Sequence, residues 1–394
     1  MRRTALLTLT AGAVALGSAS LLTYQHVQAS EPESVALTSQ DLLEPYYAKL
    51  RESVEMPVAG ENATLSTDLA LTRVAFGSCN HQSRSQGYWS VIGKTDPQAF
   101  LMIGDNNYGD QNWSGDAALT TLRKAYEKQA NTPEMNAFRA DVPMMATWDD
   151  HDYGMNDAGA DFAYRAWSEQ LFETFWGSSD AARSRPGIYD SHIIGPEGQR
   201  TQIIMLDTRY FRSNLERMPY SFTRPPLGPY VPSDDPAKTM LGNAQWDWLE
   251  QELAKPADFR ILVSSIQVLT DAHDYEAWET MPLEREKLYG LIAGREDSGI
   301  VMLSGDRHAG GIYSGAPEAA DGETLWELTS SSLNYSFSTT ERNTAREPDA
   351  KRLSDFISEE NFGLVDIDWN ERTFTITLRG AIEGETRVTR TVSW

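Results

Sequence analysis

The chain has 394 residues, long enough for one large domain or two ordinary ones, and 40% of the residues are hydrophobic. Its 11 tryptophans and 16 tyrosines are typical of a packed globular protein and exclude a disordered chain. The formal net charge of −23 repels nucleic acid and anionic membranes at long range, which argues against a nucleic-acid-binding protein.

The N-terminus has the pattern of an export signal. Met1-Arg2-Arg3 is followed by a mostly apolar stretch from Ala5 to Leu22 and by the small-residue site Val27-Gln28-Ala29. The pattern predicts a signal peptide over residues 1–29, cleaved after Ala29, and a periplasmic or secreted protein without a membrane anchor. An uncleaved anchor is the alternative, but Thr, Ser and Gly residues dilute the apolar stretch. The arginine pair is compatible with Sec and with twin-arginine export.

Residues 30–70 are expected to form a polar lead-in segment before the main domain. A helix is predicted from Ser39, because the apolar side chains that follow it have helical spacing. The stretch 57–70 is predicted to be a loop, since it is polar and contains Pro and Gly.

From Thr72 onward, short apolar strands alternate with amphipathic helices. Strands are predicted at 73–77, 99–105, 142–150, 201–209, 260–267 and 299–308. Helices are predicted at 87–94, 115–130, 160–176, 242–255 and 283–294. The stretch 363–380 alternates on both sides of Asn370-Glu371, as a β-hairpin does. The alternation indicates an α/β fold that ends in a β-hairpin.

Residues that can bind a metal stand at or just after the ends of five of the predicted strands. They are Cys79, Asp105, the run Asp149-Asp150-His151, Asp207, and Asp306 with His308. A single Asp after a strand is usually a cap or turn residue. In α/β sheets, however, the carboxyl ends of the strands meet at one edge, so five such ends predict a shared metal site.

Cys79 is the only cysteine of the chain, which is unusual for an exported protein. Oxidising compartments favour paired cysteines or none. The simplest interpretation is a small buried hydrophobic residue. Its position at the end of the first strand of the α/β run also permits a role as a metal ligand.

Several motifs, in their order along the chain, resemble the alkaline phosphatase D (PhoD-like) family of metallophosphatases. The motifs are GDNNYGD, WDDHDYGMND, LDTRYFR, LGNAQWDWLEQEL, SSIQVL, LSGDRHAGG and ELTSSSLN. The resemblance covers about Val74 to Asn334. It implies the α/β/β/α sandwich of metallophosphoesterases, with residues 71–394 as the PhoD-like domain. The N-terminal β domain of larger members is not expected here.

The family resemblance also implies a dinuclear site that holds Fe(III) beside a divalent ion, often calcium. Asp105 resembles the bridging carboxylate. Tyr108, His308 and Cys79, in its GSC setting, resemble the ligands of the iron. Asn156 and Asp306 resemble ligands of the divalent ion. The alternatives are a half-buried loop tyrosine for Tyr108 and an Asn-Asp turn for Asn156.

Two further residues are predicted to act on the substrate. His151 either faces the leaving group or, together with the neighbouring Asp149, Asp150 and Asp152, orients metal ligands. Arg209 is expected to bind a phosphoryl group with its planar guanidinium. The alternative for Arg209 is an ion pair with Asp207 or with another acid of the site.

The reaction implied by the resemblance is the hydrolysis of phosphate esters by metal-activated water. No Ser or Thr stands in an evident nucleophile motif. The alternatives are a phosphodiesterase that acts on lipid or polymer diesters, a non-catalytic metal-binding secreted protein, and a binder with a calcium site only. The choice between monoesters and diesters stays open at this point.

Overall fold

The computed structural model of the chain describes residues 37–219, 227–294, 298–337 and 344–394. The predicted signal peptide over residues 1–29 lies outside these ranges. Residues 39–394 form one compact unit. Within the described ranges, no helix is both long enough and apolar enough to cross a membrane.

The first of two large sheets contains six strands. They are β1 (Arg73–Gly77), β2 (Ala99–Ile103), β3 (Met144–Thr147), β12 (Asn361–Asp368), β13 (Thr373–Gly380) and β14 (Thr386–Ser393). Their order across the sheet is β14-β13-β12-β1-β2-β3. Strands β1, β2 and β3 are parallel, whereas β12, β13 and β14 extend the sheet in antiparallel fashion. The predicted C-terminal hairpin is therefore present and has a third strand.

The second sheet also contains six strands. They are β4 (Asp190–Ile194), β5 (Thr201–Met205), β8 (Phe259–Val263), β9 (Gly299–Ser304), β10 (Gly311–Gly315) and β11 (Leu325–Thr329). Their order is β10-β11-β9-β8-β5-β4, with antiparallel strands at both edges and four parallel strands between them. A small ribbon pairs β6 (Glu216–Arg217) with β7 (Tyr230–Val231).

Helices cover the outer faces of both sheets. They are α1 (Ser39–Ser53), α2 (Tyr88–Gly93), α3 (Thr120–Ala130), α4 (Pro133–Asp141), α5 (Asp150–Tyr153), α6 (Arg165–Trp176), α7 (Asp180–Arg183), α8 (Gly242–Leu253) and α9 (Pro282–Ile292). One apolar cluster joins the first sheet to α1 through α6, and another joins the second sheet to α8 and α9.

A third apolar cluster lies between the two sheets. The side chains of β1 and β2 alternate, so that Phe76 and Leu101 enter this central cluster while Ala75 and Phe100 face the helices. Strands that are buried on both faces explain the continuous apolar runs in the sequence. The layers are helix, sheet, sheet and helix, which confirms the predicted α/β/β/α sandwich.

Local capping moves two predicted boundaries. Helix α3 begins at Thr120, because Leu119 is left-handed (φ 46°) and Asp116 accepts the Thr120 N–H at 3.1 Å. Strand β3 ends at Thr147, before the predicted 142–150 segment does. There the Asp149 N–H donates to Asp152 Oδ1 at 2.8 Å, and the chain turns into α5.

The carboxyl ends of the parallel strands meet at one edge of the sandwich. Cys79 follows β1, Asp105 follows β2, Asp149 follows β3, and Arg209 follows β5. Asp306 follows β9 in the same way. The fold therefore brings together the chemistry that the sequence distributes over more than 200 residues.

Candidate metal centre

Four of the predicted ligands form one buried group. Cys79 Sγ lies 3.4 Å from Asp105 Oδ2, and the Tyr108 hydroxyl donates to the same oxygen at 3.0 Å. Tyr108 Oη is also 3.3 Å from His308 Nε2. Ligand atoms of Cys79, Asp105 and His308 all lie within 4.8 Å of one another. The structure thus places a thiol, a phenol, an imidazole and a carboxylate around one point.

The hydrogen bonds of His308 fix which ring nitrogen faces this point. Its Nδ1 donates to the carbonyl oxygen of Tyr335, so Nε2 carries the free electron pair. Ser331 supports both sides of the group, because its Oγ accepts the His308 N–H at 2.6 Å and lies 2.9 Å from Cys79 Sγ. Ser331 and the Tyr335 carbonyl therefore fix the position and orientation of His308.

A cluster of four acids adjoins this group. Asp105, Asp149, Asp150 and Asp306 each offer an oxygen within 4.8 Å of the others. Asp105 Oδ1, Asp149 Oδ2 and Asp150 Oδ1 are buried and have no hydrogen-bond partner among the described residues. Buried carboxylate oxygens without partners are costly, and a bound cation would satisfy them. The cluster therefore fits a metal ion.

The pKa values of these acids also indicate an excess of negative charge in the cluster. Burial raises the pKa of Asp105 and of Asp306 well above the usual range for Asp, and the neighbouring acids raise both further. Burial also raises the pKa of Asp149, to about 6, although Arg209 opposes the rise. The protein without a cation thus disfavours ionisation of acids that a cation would keep ionised.

The backbone is strained at the same positions. Cys79, Asp105, Asp306 and His308 all have positive φ values, between 50° and 61°. Non-glycine residues rarely adopt this conformation, and such outliers gather at functional sites. A Cβ on Gly104, the residue before Asp105, would lie 2.6 Å from the Asp149 Cβ, so only glycine fits there.

His151 lies beside the acid cluster. One of its ring nitrogens lies with oxygens of Asp105 and Asp150 in a group within 4.8 Å. Its Nδ1 is 2.8 Å from Asp110 Oδ1, and its ring centroid is 4.3 Å from that of Tyr108. Burial acts to lower the pKa of His151, but Asp150 and Asp105 outweigh it, so the pKa is raised well above the usual value.

Arg209 is fully buried and makes ion pairs on both sides of its guanidinium. Nε and one terminal nitrogen lie 2.6 Å and 2.5 Å from Asp149 Oδ1, and the other terminal nitrogen is 2.6 Å from Glu276 Oε2. Arg212 pairs with the other oxygen of Glu276 at 2.8 Å. Direct phosphate binding by Arg209 stays a prediction, and this placement favours the ion-pair alternative, with Asp149 and Glu276 as the partners.

The Asn156 side chain is exposed and lines a surface pocket beside Asp157, and its role as a ligand stays a prediction. Asp207 belongs to none of the ligand groups found among the described residues; it accepts hydrogen bonds from Trp148 and from the backbone of Arg209. Asp152 accepts from the Asn106 side chain as well as from Asp149 N–H, so it orients the strand ends.

Two residues near the centre were missed from the sequence. Glu276 lies in the irregular stretch between β8 and α9, where no motif marks it, yet it anchors Arg209. Asp157 belongs with Asp150 and Glu276 to a further group of acids within 4.8 Å of one another. For Asp157, the only available signal was its place at the end of WDDHDYGMND.

The fold and the centre define a metallophosphoesterase-like protein. The profile of the PhoD-like phosphatase family matches residues 74–378, so the chain belongs to this family. It is 24% identical to alkaline phosphatase D from Bacillus subtilis (strain 168) over 315 residues, which are 68% of this chain and 52% of that protein. The chain thus spans about half the length of this curated relative.

A solved structure of PhoD has the same fold. It superposes with a TM-score of 0.63 at 18% identity and covers 86% of this chain and 71% of that one. This likeness concerns the architecture. The metal-binding chemistry rests on the residues described above.

Proposed function

We propose that this protein is a metal-dependent phosphatase that hydrolyses phosphate esters. The proposal is carried by one observation: two groups of possible ligands share Asp105. One group contains Cys79, Tyr108 and His308. The other consists of acids whose buried oxygens have no hydrogen-bond partner among the described residues. Thiolate, phenolate and imidazole suit Fe(III), and carboxylate oxygens suit a hard divalent ion such as calcium. The bound pair would supply an activated water and neutralise the phosphate.

Each group of the chain has a proposed task. Asp105, which belongs to both ligand groups, would hold both ions, and Asp306 with Asp149 and Asp150 would hold the divalent one. The exposed side chain of Asn156 leaves its predicted ligand role to Asp149 and Asp150 in this proposal. His151 lies at the edge of the acids and is held by Asp110, so it can give a proton to the leaving oxygen.

Arg209 acts by holding Asp149 in place. Both its Nε and a terminal nitrogen bind the same oxygen, Asp149 Oδ1, and Ser265 donates to that oxygen at 2.6 Å. The other oxygen of Asp149 is left to face the cluster. This is the arrangement of a ligand oriented by its neighbours.

We also propose that the protein is exported and that cleavage follows Ala29. The Val27-Gln28-Ala29 site supports this proposal. Intact-mass analysis of the protein recovered from the periplasm or the medium tests it, and a mass that includes residues 1–29 would contradict it.

Substitution of Asp105 tests the proposed reaction. Asp105→Asn should release both ions and lower hydrolysis of chromogenic phosphate monoesters and diesters by more than about 100-fold, since even residues that only orient ligands cost 10- to 100-fold. Asp161→Asn, at an exposed acid, is the control. Metal analysis accompanies the assays. If Asp105→Asn keeps both ions, the bridge is elsewhere, and if the metal-loaded native protein turns over no phosphate ester, the non-catalytic alternative holds.

A further inference from the structure

The motif ELTSSSLN has no part in the proposed function so far, although it reaches the metal centre. It begins in β11 and continues past the end of that strand as Ser330, Ser331 and Ser332, whose side chains are all fully buried. A hydroxyl group that is buried away from water needs a hydrogen-bond partner. The partners of these serines therefore indicate what the motif does.

Ser331 lies between two proposed iron ligands that come from different sheets. Its Oγ accepts the backbone N–H of His308 at 2.6 Å, and the same oxygen lies 2.9 Å from Cys79 Sγ. Cys79 follows β1 of the first sheet, whereas His308 follows β9 of the second sheet. One hydroxyl group therefore contacts both ligand residues.

The single proton of the Ser331 hydroxyl is directed at the sulfur. The contact with the His308 N–H uses the oxygen as an acceptor, so the O–H remains to be donated. Among the residues that the structure describes, Cys79 Sγ is the other hydrogen-bond partner of this oxygen. A thiolate that binds a metal has no proton of its own, so the sulfur can only accept in the metal-loaded centre.

A second hydroxyl group near the sulfur is already engaged elsewhere. Ser78 Oγ lies 3.5 Å from Cys79 Sγ, and it donates its proton to the carbonyl oxygen of Ser330 at 3.1 Å. A hydroxyl group has one proton, so this bond leaves none for the sulfur. Ser331 is therefore the donor, and Ser78 is a neighbour of the same chemistry without this role.

The backbone around Ser331 is held by further hydrogen bonds. The Ser331 carbonyl oxygen accepts from the Asn361 side chain at 3.1 Å, and the Ser330 hydroxyl donates to Asn361 Oδ1 at 2.9 Å. The Leu333 N–H donates to the Ser78 carbonyl oxygen at 2.9 Å. None of these bonds uses the side chain of a proposed ligand, so the hydroxyl group is in place before a metal binds.

We propose that Ser331 is a positioning residue of the iron site: its hydroxyl donates a hydrogen bond to the Cys79 thiolate and limits the charge that the sulfur gives to the iron. This inference rests on the proposed function. A hydrogen bond to a metal-bound thiolate withdraws charge from the sulfur and raises the reduction potential of the metal. A sulfur that donates less charge also leaves more of the positive charge of the ion to act on the phosphate.

Ser331→Ala tests this role in the iron-loaded protein. Without the hydrogen bond the sulfur binds iron more strongly, so the Fe–S stretching vibration in the resonance Raman spectrum should shift to higher frequency. The ratio of Fe(II) to Fe(III) in equilibrium with a given one-electron reductant should fall severalfold, because the reduction potential is lower. Both measurements are made at saturating iron. A residue that only supports the fold would change the amount of bound iron and leave both values near those of the native protein.

Ser78→Ala is the matched control, and Ser331→Thr is the conservative variant. Ser78→Ala should keep the native Fe–S frequency and the native Fe(II) to Fe(III) ratio, because its hydroxyl donates to a carbonyl instead. Ser331→Thr keeps a hydroxyl group and should restore both values toward those of the native protein. An unchanged frequency in Ser331→Ala, or an equal shift in Ser78→Ala, would overturn the proposal.

The native protein gives a test that needs no substitution and separates this inference from the proposed function. Reconstitution with iron in D2O replaces the Ser331 hydroxyl proton by a deuteron, so the Fe–S frequency should differ from that of a sample prepared in H2O. This difference supports the hydrogen bond even if no phosphate ester is turned over. An Fe–S frequency that is the same in both solvents would refute the inference even if hydrolysis is observed.

Discussion

At the scale of the residue, the surroundings of Cys79, the one cysteine of the chain, are those of a metal ligand. Burial raises the pKa of this thiol well above its usual value, and Asp105 adds to the rise. A merely structural cysteine would have no need for a left-handed backbone, with φ at 55°, or for a place 3.4 Å from a bridging carboxylate. Both features fit a thiolate that a metal keeps ionised.

Cys79→Ala should therefore lose iron, the visible absorption band and most hydrolysis, while the lost packing of the side chain itself costs only about 1 kcal/mol. Metal analysis and visible spectroscopy of the purified variant test this expectation. Cys79→Ser should keep a weaker site, because oxygen also binds Fe(III). Ile261→Val removes a small volume from the core between the sheets and should leave the iron in place. Full iron and full activity in Cys79→Ala would make Cys79 a packing residue.

For Arg209, the sequence left two roles equally open: binding a phosphate group and pairing with an acid of the site. If it holds Asp149, Arg209→Lys should weaken retention of the divalent ion, because one ammonium cannot bind Asp149 and Glu276 with the same geometry. If it binds phosphate directly, the same variant should keep its metals and raise KM. We expect the first result. Arg209→Met should also lower stability by about 3 to 5 kcal/mol, since it removes the buried cation from Asp149 and leaves Glu276 with Arg212 alone.

At the scale of the element, a buried ion pair supports the turn that follows β9. Arg307 stands between Asp306 and His308 and pairs with Glu347, and both side chains are almost fully buried. Its guanidinium also lies 4.6 Å from the centroid of the Tyr275 ring. Two left-handed residues flank Arg307, so this ion pair supports a strained turn that carries two proposed ligands.

Arg307→Met should thus release metal although it does not face the cluster. Metal content after dialysis, measured well below the unfolding temperature of the variant, is the test. Arg285→Met breaks the ion pairs of Arg285 with Asp271 and Glu279 and should lose stability but keep its metal. Equal metal retention in the two variants would limit Arg307 to a structural role.

The hydrophobic pattern of the sequence predicted the strands that are buried on both faces. It failed where local capping sets the end of a strand or where a strand lies at the edge of a sheet. Strands β1, β2 and β9 are apolar along most of their length and begin at the predicted residues, although β2 and β9 end before the predicted positions 105 and 308. Edge strand β4 is half-buried along most of its length and has no strong pattern. The predicted strand at 142–150 failed after Thr147, because the Asp149–Asp152 hydrogen bond starts a helical turn there.

At the scale of the whole molecule, the site is assembled from both sheets. Residues that follow strand ends were predictable, because the rule for parallel sheets places them at one edge. Glu276 was not predictable, since it enters from an irregular stretch and its role depends on long-range packing against Arg209 and Arg212. Asn156 and Asp150 lie six residues apart in one motif, and only the fold shows that Asp150 is buried and Asn156 exposed.

The concentration of acids at this edge makes the stability of the whole protein depend on metal and on pH together. An acid whose pKa is raised in the fold holds its proton longer than it does in the unfolded chain. The metal-free fold therefore loses stability as the pH rises through the interval between the two pKa values. For Asp149 the interval runs from 3.8 to about 6, and Asp105 and Asp306 shift in the same direction.

Chelation should consequently lower the unfolding temperature more at pH 8 than at pH 5. At pH 8 Asp149, with a pKa of about 6, is ionised and its charge is no longer balanced once the cations leave, whereas at pH 5 it holds its proton. Asp105 and Asp306, whose pKa values are also raised, add to the cost in the same direction. Thermal unfolding of the native protein with and without chelator, at both pH values, measures the difference. The metal-free Asp105→Asn variant replaces a buried acid of raised pKa by a neutral amide, so at pH 8 it should be more stable than the metal-free native protein. If chelation lowers the unfolding temperature equally at both pH values, and the metal-free variant is no more stable than the metal-free native protein, the acids do not form the cation site.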